Sequence, residues 1–259
     1  MGPVVVFVLA IASQAPLDRA EVEALLATAR IVSHQDVPVG VTRPLKLDLS
    51  DGERTLSASW KNVDILLPGI TRFADGTFER NFSDNYRYEI AAYELDKLLG
   101  TDLVPPTIER RFRGEAGALT LWIEGATTDF DRRQKNIAPP DLLRWNRQVY
   151  NVQLFRFLTF DADYKNARNV LIDPEWHLWA IDSSRAFRID ETLIDDSLDH
   201  FSRAVLAKLE SLDFETLKAH LGKWVSDDRL RALLVRRDLI VKRARELAAE
   251  RGEGAVLVP

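Results

Sequence analysis

The apolar positions of this chain change period along its length. From Asp18 to Arg30, Val22, Leu25, Leu26 and Ala29 recur at helical spacing, so a short helix is expected there. From Ile31 to about Leu67 the spacing falls to two, with Val37, Val39 and Val41, then Leu45, Leu47 and Leu49, alternating with polar neighbours. Ser50-Asp51-Gly52 reads as a turn into a second strand, Thr55 to Lys61. Helical spacing returns after Ser83 or Asp84, either of which can act as a cap. Tyr88, Ala91, Ala92, Leu95, Leu98 and Leu99 form the stripe, and Gly100 is placed to stop it. Val104-Pro105-Pro106 then breaks the chain before two expected strands, Thr107 to Phe112 and Ala118 to Glu124.

Beyond Gly125 the pattern is mostly helical. Pro139-Pro140-Asp141 opens a helix expected to end near Phe160. A short hairpin follows, Asn169 to Ile172 and His177 to Ile181, turning at Asp173-Pro174-Glu175. The last helix is expected from about Ser226 to Glu250, before Gly252. The expected class is therefore α+β, a small β-rich half followed by a helical half that contains one hairpin.

Composition narrows the chemistry. The 259 residues, 46% of them hydrophobic, are enough to bury a substantial core. There is no cysteine, which removes thiol nucleophiles, cysteine zinc sites and iron–sulfur clusters. With 35 Lys and Arg against 40 Asp and Glu, the net charge of −5 argues against a dedicated nucleic-acid binder. No apolar run reaches the length of a membrane span. Val4 to Ala12 is unbroken apolar sequence ending in Ala10-Ile11-Ala12, yet the first basic residue is Arg19. Residues 1–17 thus read either as a signal peptide, implying a secreted or periplasmic protein, or as an apolar leader of a cytoplasmic one, a buried strand or the product of a mis-assigned start codon.

Candidate chemistry gathers around the second hairpin. Asp163-Tyr164-Lys165-Asn166-Ala167-Arg168-Asn169 leads into it and Asp182 ends it. Two short antiparallel strands bring Asn169 and Asp182 side by side, an amide and a carboxylate oxygen facing one place. Such a pair suits Mg²⁺, which takes few protein oxygens and completes its shell with phosphate. Asp163 is positioned to take a proton from a hydroxyl, and Lys165 to neutralise a phosphate. The plainer alternative is turn chemistry, since Asp and Asn favour turns. Lys61 closes a strand of apolar and small residues, and Glu89 sits at the rim of a helix stripe. A strand lysine held by a helix glutamate grips nucleotide phosphates in phosphoryl-transfer enzymes. Otherwise Lys61 is an edge-strand guard and Glu89 a solvated helix residue. His34, His177, His200 and His220 share no metal-ligand spacing, and no nucleophile elbow, dinucleotide fingerprint or Walker lysine motif is present.

The order Lys61, Glu89, Asp163, Asn169, Asp182 resembles the protein-kinase-like superfamily, in its atypical branch around phosphatidylinositol 3-/4-kinases and the secretory-pathway kinases. Several phrases resemble more closely a group of uncharacterised bacterial proteins of that fold: GVTRPLKLDLSDG with ASWK, YRYEIAAYELDKLLG before LVPPTIERR, LWIEG, and NVLIDPEWHLWAIDSSRAF. The resemblance implies a two-lobed kinase-like domain, with an N-lobe over 18–124 and a C-lobe over 125–259. It implies ATP and Mg²⁺, with Lys61 on the phosphates, Glu89 as its partner, Asp163 as the catalytic-loop aspartate, and Asn169 and Asp182 as metal ligands. Trp122, Ile123 and Glu124 would form the lobe connection beside adenine, and Gly40 and Thr42 would lie in the loop over the phosphates.

Three departures stand against this likeness. The segment from Asp163 to Asn169 is one residue longer than in the family, so a gapless alignment puts Tyr164 at the catalytic position. Ser183 stands where the family has the glycine of Asp-Phe-Gly, as in the atypical branch. The phosphate loop has one glycine. The sequence therefore leaves three functions open. One is Mg²⁺-dependent transfer of the ATP γ-phosphate to a hydroxyl on a protein, lipid headgroup or small molecule. Another is a pseudokinase, a nucleotide-binding or scaffold module without turnover. The third is a non-nucleotide interaction domain that keeps only the scaffold.

Overall fold

The computed structural model describes residues 17–37, 44–74 and 76–259. Gly40 and Thr42, and the apolar leader before Leu17, lie outside the described residues. Helix α1 (Arg19–Thr28) starts from a capping box in which the Asp18 carboxylate accepts from the Glu21 N–H and Glu21 reaches back to the Asp18 N–H. Strands β1 (Arg30–Asp36), β2 (Leu45–Ser50) and β3 (Thr55–Lys61) follow as an antiparallel meander. A hairpin of β4 (Asp64–Arg72) and β5 (Phe78–Asn85) leads into α2 (Tyr86–Leu99). Next come β6 (Thr107–Phe112) and β7 (Glu115–Leu121), which complete an antiparallel sheet of order β1-β2-β3-β7-β6.

Alternation in this sheet decides which side chains meet the core. Leu47, Leu49, Ala58, Trp60 and Leu119 pack under α1 against Val22, Leu25 and Leu26. Ser57, Ser59 and Lys61 therefore lie on the opposite face. Lys61 belongs to an interior strand, paired with Ala118 of β7, so it guards no sheet edge.

The helical half begins with β8 (Thr127–Thr128), α3 (Asp129–Gln134) and α4 (Leu142–Thr159). A short 3₁₀ turn (Ala167–Asn169) enters β9 (Val170–Ile172), which pairs with β10 (Leu178–Ala180) and with β8. The remaining elements are β11 (Phe201–Ser202), α5 (Arg203–Ser211), α6 (Phe214–Leu221), α7 (Asp227–Arg251), α8 (Glu253–Val256) and β12 (Leu257–Val258). One large core joins α4, the hairpin, α6 and α7, and it includes Tyr88, Ala91, Tyr93, Leu95 and Leu99 of α2. Helix α2 is thus buried on nearly every side, and its one buried glutamate, Glu89, is 6% exposed. Among the described residues no helix is long and apolar enough to cross a membrane.

The expected α+β division and its one second-half hairpin are present. Three local differences stand out. The β4–β5 hairpin was not expected: Pro68 and Gly69 interrupt the pattern of β4, and β5 is too polar to show alternation. Its length moves the cap of α2 to Asn85, whose side chain accepts from the Arg87 N–H, while Ser83 and Asp84 belong to β5. Strand β7 ends at Leu121, short of the expected Glu124.

Candidate active site

Three elements converge on the Lys61 ammonium. It lies 3.0 Å from Glu89 Oε1 and 2.5 Å from Asp182 Oδ1. Glu89 uses its other oxygen to accept from the Ser183 N–H at 3.0 Å, which fixes the helix carboxylate to the backbone just after Asp182. Asp182 leaves β10 in the left-handed region at φ 62°, a conformation aspartate tolerates better than most residues. The Ile181 N–H donates to the Asn169 carbonyl at 3.0 Å, so Asn169 and Asp182 stand together at the open end of the hairpin. Burial alone would lower the Lys61 ammonium, but Glu89 and Asp182 outweigh it and hold Lys61 charged above the ordinary lysine range. Burial pushes Glu89 upward, against the pull of Lys61.

Asn169 is 5% exposed. Its amide oxygen accepts from Asn166 Nδ2 at 3.2 Å, and its amide nitrogen is buried without a protein partner. The amide oxygen, which accepts only that one bond, and the half-exposed Asp182 carboxylate are the two protein oxygens that would suit a divalent cation taking most of its ligands from phosphate or water, while the amide nitrogen is a donor and would take no part. Among the described residues no group of three or more His, Asp or Glu could hold a metal by itself.

Asp163 lies in the loop before β9. Its N–H donates to Asp161 Oδ1 at 2.9 Å, and its own Oδ1 accepts from Arg185 Nη1 at 2.8 Å. Burial raises the Asp163 carboxyl above the usual range; Arg185 opposes this and Asp182, Glu79 and Asp84 add to it. Asp161 is 3% exposed, and burial drives its carboxyl up to about 6. Buried Arg156 donates to the carbonyls of Tyr164 and Asn169 at 2.7 and 3.0 Å, clamping both ends of the inserted loop. Tyr164 turns its hydroxyl to Asp195 at 2.6 Å, leaving Asp163 as the carboxylate paired with Arg185.

The other expected residues fall in two places. Lys165 is exposed, with its ammonium 5.1 Å from the Tyr164 ring centre, and the structure does not bring it to Lys61 or Asp182. Trp122, Ile123 and Glu124 follow β7. Lys46 lies 4.6 Å over the Trp122 ring and 3.0 Å from Glu124, which ties this segment to β2.

Three residues were missed from the sequence. Arg185 contacts both Asp163 and Glu79, and Arg188 contacts Glu79 and the Arg80 carbonyl. Arg185 and Arg188 follow Asp182 closely, a signal that was legible; Glu79 belongs to the unforeseen hairpin and gave none. Beside them is a cavity of about 280 Å³, lined among others by Glu79, Asp161, Tyr164, Arg185 and Arg188.

No protein-family model matches this chain, and no curated protein sequence matches it. Solved structures do match. A hydra Fam20 with sugar is similar over 92% of this chain and 91% of its own, at 15% identity and a TM-score of 0.65. A Golgi casein kinase is similar over 93% of this chain and 80% of its own, at 14% identity and a TM-score of 0.63. The Golgi casein kinase with Mn/ADP bound covers 93% and 78%, at 14% identity and a TM-score of 0.62. The fold of the chain is the two-lobed, α+β, protein-kinase-like fold.

Proposed function

We propose that the protein is a phosphotransferase that moves the γ-phosphate of ATP to a hydroxyl. The observation that carries this reading is the single ammonium of Lys61 bridging Glu89 and Asp182, which ties a strand, a helix and the end of the β9–β10 hairpin to one point. Phosphoryl transfer needs such a point, because its catalysis is mostly positioning and charge neutralisation. The Mn/ADP-bound Golgi casein kinase adds that a protein of this fold takes nucleotide and a divalent cation. The resemblance of several phrases to a group of bacterial kinase-like proteins belongs to the same reading.

Each side chain then has a role. Lys61 meets nucleotide phosphate while Glu89 fixes its position. Asp182 and Asn169 would hold the divalent cation, read as Mg²⁺, which supplies neutralisation of phosphate charge. Asp163 accepts the proton of the acceptor hydroxyl as that oxygen bonds to the γ-phosphorus and the bond to ADP breaks. Its raised carboxyl suits this role, since a base works best nearer the working pH. Trp122, Ile123 and Glu124 line the adenine end of the cleft.

A second reading rests on Asp163, one oxygen of which is occupied by Arg185 in a loop one residue longer than the family's. It is a pseudokinase that binds nucleotide without turnover. One experiment separates the two: melting temperature with and without Mg·ATP, beside ATP turnover, in the wild type and in Asp163→Ala. A rise with Mg·ATP and turnover abolished by Asp163→Ala support the phosphotransferase. A rise without turnover in either protein supports the pseudokinase, and no rise removes both.

A further inference from the structure

The Arg185 guanidinium is shared between two carboxylates from different halves of the chain. Nη1 donates to Asp163 Oδ1 at 2.8 Å, and Nη2 meets Glu79 Oε2. Glu79 gives its second oxygen to Arg188, whose side chain is 6% exposed and also donates to the Arg80 carbonyl. The arginines are themselves held. The Arg185 guanidinium lies 5.2 Å over the ring of Phe82, on the same strand as Glu79. The Arg188 carbonyl accepts from fully buried Arg236 at 3.0 Å. The hairpin is further stitched to this segment by the Asn85 N–H, which donates to the Ser184 carbonyl at 2.9 Å.

We propose that Glu79 is a positioning residue for the phosphoryl-transfer base, acting through Arg185 to set which oxygen of Asp163 faces the acceptor. The inference rests on the phosphotransferase reading. An arginine fork presents fixed, coplanar donors, so anchoring one arm on Glu79 fixes where the other arm holds Asp163. With Oδ1 engaged, Oδ2 is the oxygen left to take a proton. A cavity of about 280 Å³ is lined by Glu79, Arg185 and Arg188 together with Asp161, Ala162 and Tyr164, the residues on either side of Asp163 in its loop, so the clasp borders open space next to the base. Strand β5 thereby becomes part of the surroundings of the base. A shift of Glu79 with the hairpin moves the fork and, with it, the base.

Charge gives the inference a sign. Asp163 faces Arg185 from its own lobe, Glu79 and Asp84 from β5, and Asp182 from the end of β10, with Asp161 and Arg156 behind its loop. Removing the Glu79 charge leaves Arg185 with Asp163 as its principal carboxylate, which makes Asp163 a weaker base. Removing the Arg185 charge does the reverse.

The test uses the full chain with Mg·ATP and water as acceptor, giving ADP and phosphate. Glu79→Gln, Arg185→Gln, Arg185→Lys and the double Glu79→Gln/Arg185→Gln variant are compared by melting temperature, Mg·ATP stabilisation and turnover from pH 5 to 9. In Glu79→Gln, kcat should fall by roughly tenfold or more with KM for ATP little changed. Its acid limb should move to lower pH, that of Arg185→Gln should move to higher pH, and Arg185→Lys should not restore the wild-type profile. The double variant should match Arg185→Gln in kcat, since Glu79 positions the base through that arginine, with an acid limb somewhat below that of Arg185→Gln because the direct charge of Glu79 on Asp163 is gone as well. An active wild type with an unchanged Glu79→Gln profile overturns this inference alone. So does a Glu79→Gln variant that loses Mg·ATP stabilisation in step with its fold, since that marks a structural clasp. A wild type with neither stabilisation nor turnover removes the phosphotransferase reading, and this inference with it.

Discussion

Lys61 and Asp182 are 121 positions apart in the chain, and their side chains meet at 2.5 Å. Glu89 closes the triangle from a helix whose flanks are buried in the core of the helical half. The contact therefore joins the sheet of the first half to the hairpin of the second. Of its two arms, the Lys61–Glu89 ion pair has little solvent, the side chains being 15% and 8% exposed, while Asp182 is 39% exposed.

Breaking that pair from one side should be costly. Lys61→Met leaves the Glu89 carboxylate buried with the Ser183 N–H as its remaining donor, a loss of about 3 kcal/mol or more. Lys61→Met/Glu89→Gln should recover much of that stability, because no charge is then stranded, yet neither variant should show a Mg·ATP-dependent rise in melting temperature. Urea denaturation beside thermal shift checks both halves. Recovery of nucleotide stabilisation in the double variant would remove Lys61 from the phosphate site.

A stability signature is expected from Asp161. Its folded carboxyl titrates at about 6 against an ordinary value of 3.8, so the folded state holds this proton more tightly than the unfolded chain. Its contribution is therefore largest below about pH 4 and is lost as pH rises through about 6, a swing of about 3 kcal/mol. Asp161→Asn removes that titration. The stability of the wild type minus that of the variant should fall between pH 4 and pH 7, and a flat difference would show that Asp161 does not titrate in this range. Lowered carboxyls elsewhere, such as Asp48 and Asp195, have the opposite slope and cancel in the difference.

Much of this site was legible because its residues sit on periodic elements. Lys61 ends a strand whose alternation places it opposite Ala58 and Trp60, and Glu89 lies on a helix stripe bounded by Gly100. Asn169 and Asp182 were paired by the short hairpin between them. The Glu79–Arg185–Asp163 clasp was not legible, since Glu79 belongs to a strand, Phe78–Asn85, with no apolar alternation. Arg185 meets it across 106 positions, a contact that only the fold creates. The expected place of Lys165 beside phosphate relied on sequence adjacency to Asp163. The loop turns between them, carrying Lys165 outward to Tyr164.

Gly117 gives a steric test of the strand that carries Lys61. A Cβ there would fall on the Lys61 carbonyl oxygen and within 2.8 Å of the Trp60 indole. The carbonyl cannot yield without moving the end of β3. Gly117→Ala should cost about 1–3 kcal/mol and weaken Mg·ATP stabilisation as well. Gly254→Ala is the control, since a Cβ at that position meets nothing within 4 Å. Equal melting temperatures and equal nucleotide responses in the two variants would show that β7 tolerates the added methyl without disturbing Lys61.

Asn169 separates structural and metal roles most sharply. Its carbonyl holds the hairpin through the Ile181 N–H, and that bond survives any side-chain change. Its side chain accepts from Asn166 and leaves a buried amide nitrogen unpaired, so deleting it removes one weak hydrogen bond and one unsatisfied donor. Asn169→Ala should therefore change stability by no more than about 1 kcal/mol. Metal-dependent nucleotide binding should suffer far more. In a titration of divalent cation at fixed ATP, the midpoint of thermal stabilisation should rise by about tenfold or more, and Asp182→Asn should raise it further because a charge is lost as well as a ligand. Asn169→Asp is the rescue, restoring an oxygen donor of similar size. A midpoint unchanged in Asn169→Ala would mean that Asp182 binds the cation without this amide, and the pairing of the two residues at the hairpin's open end would then be structural alone.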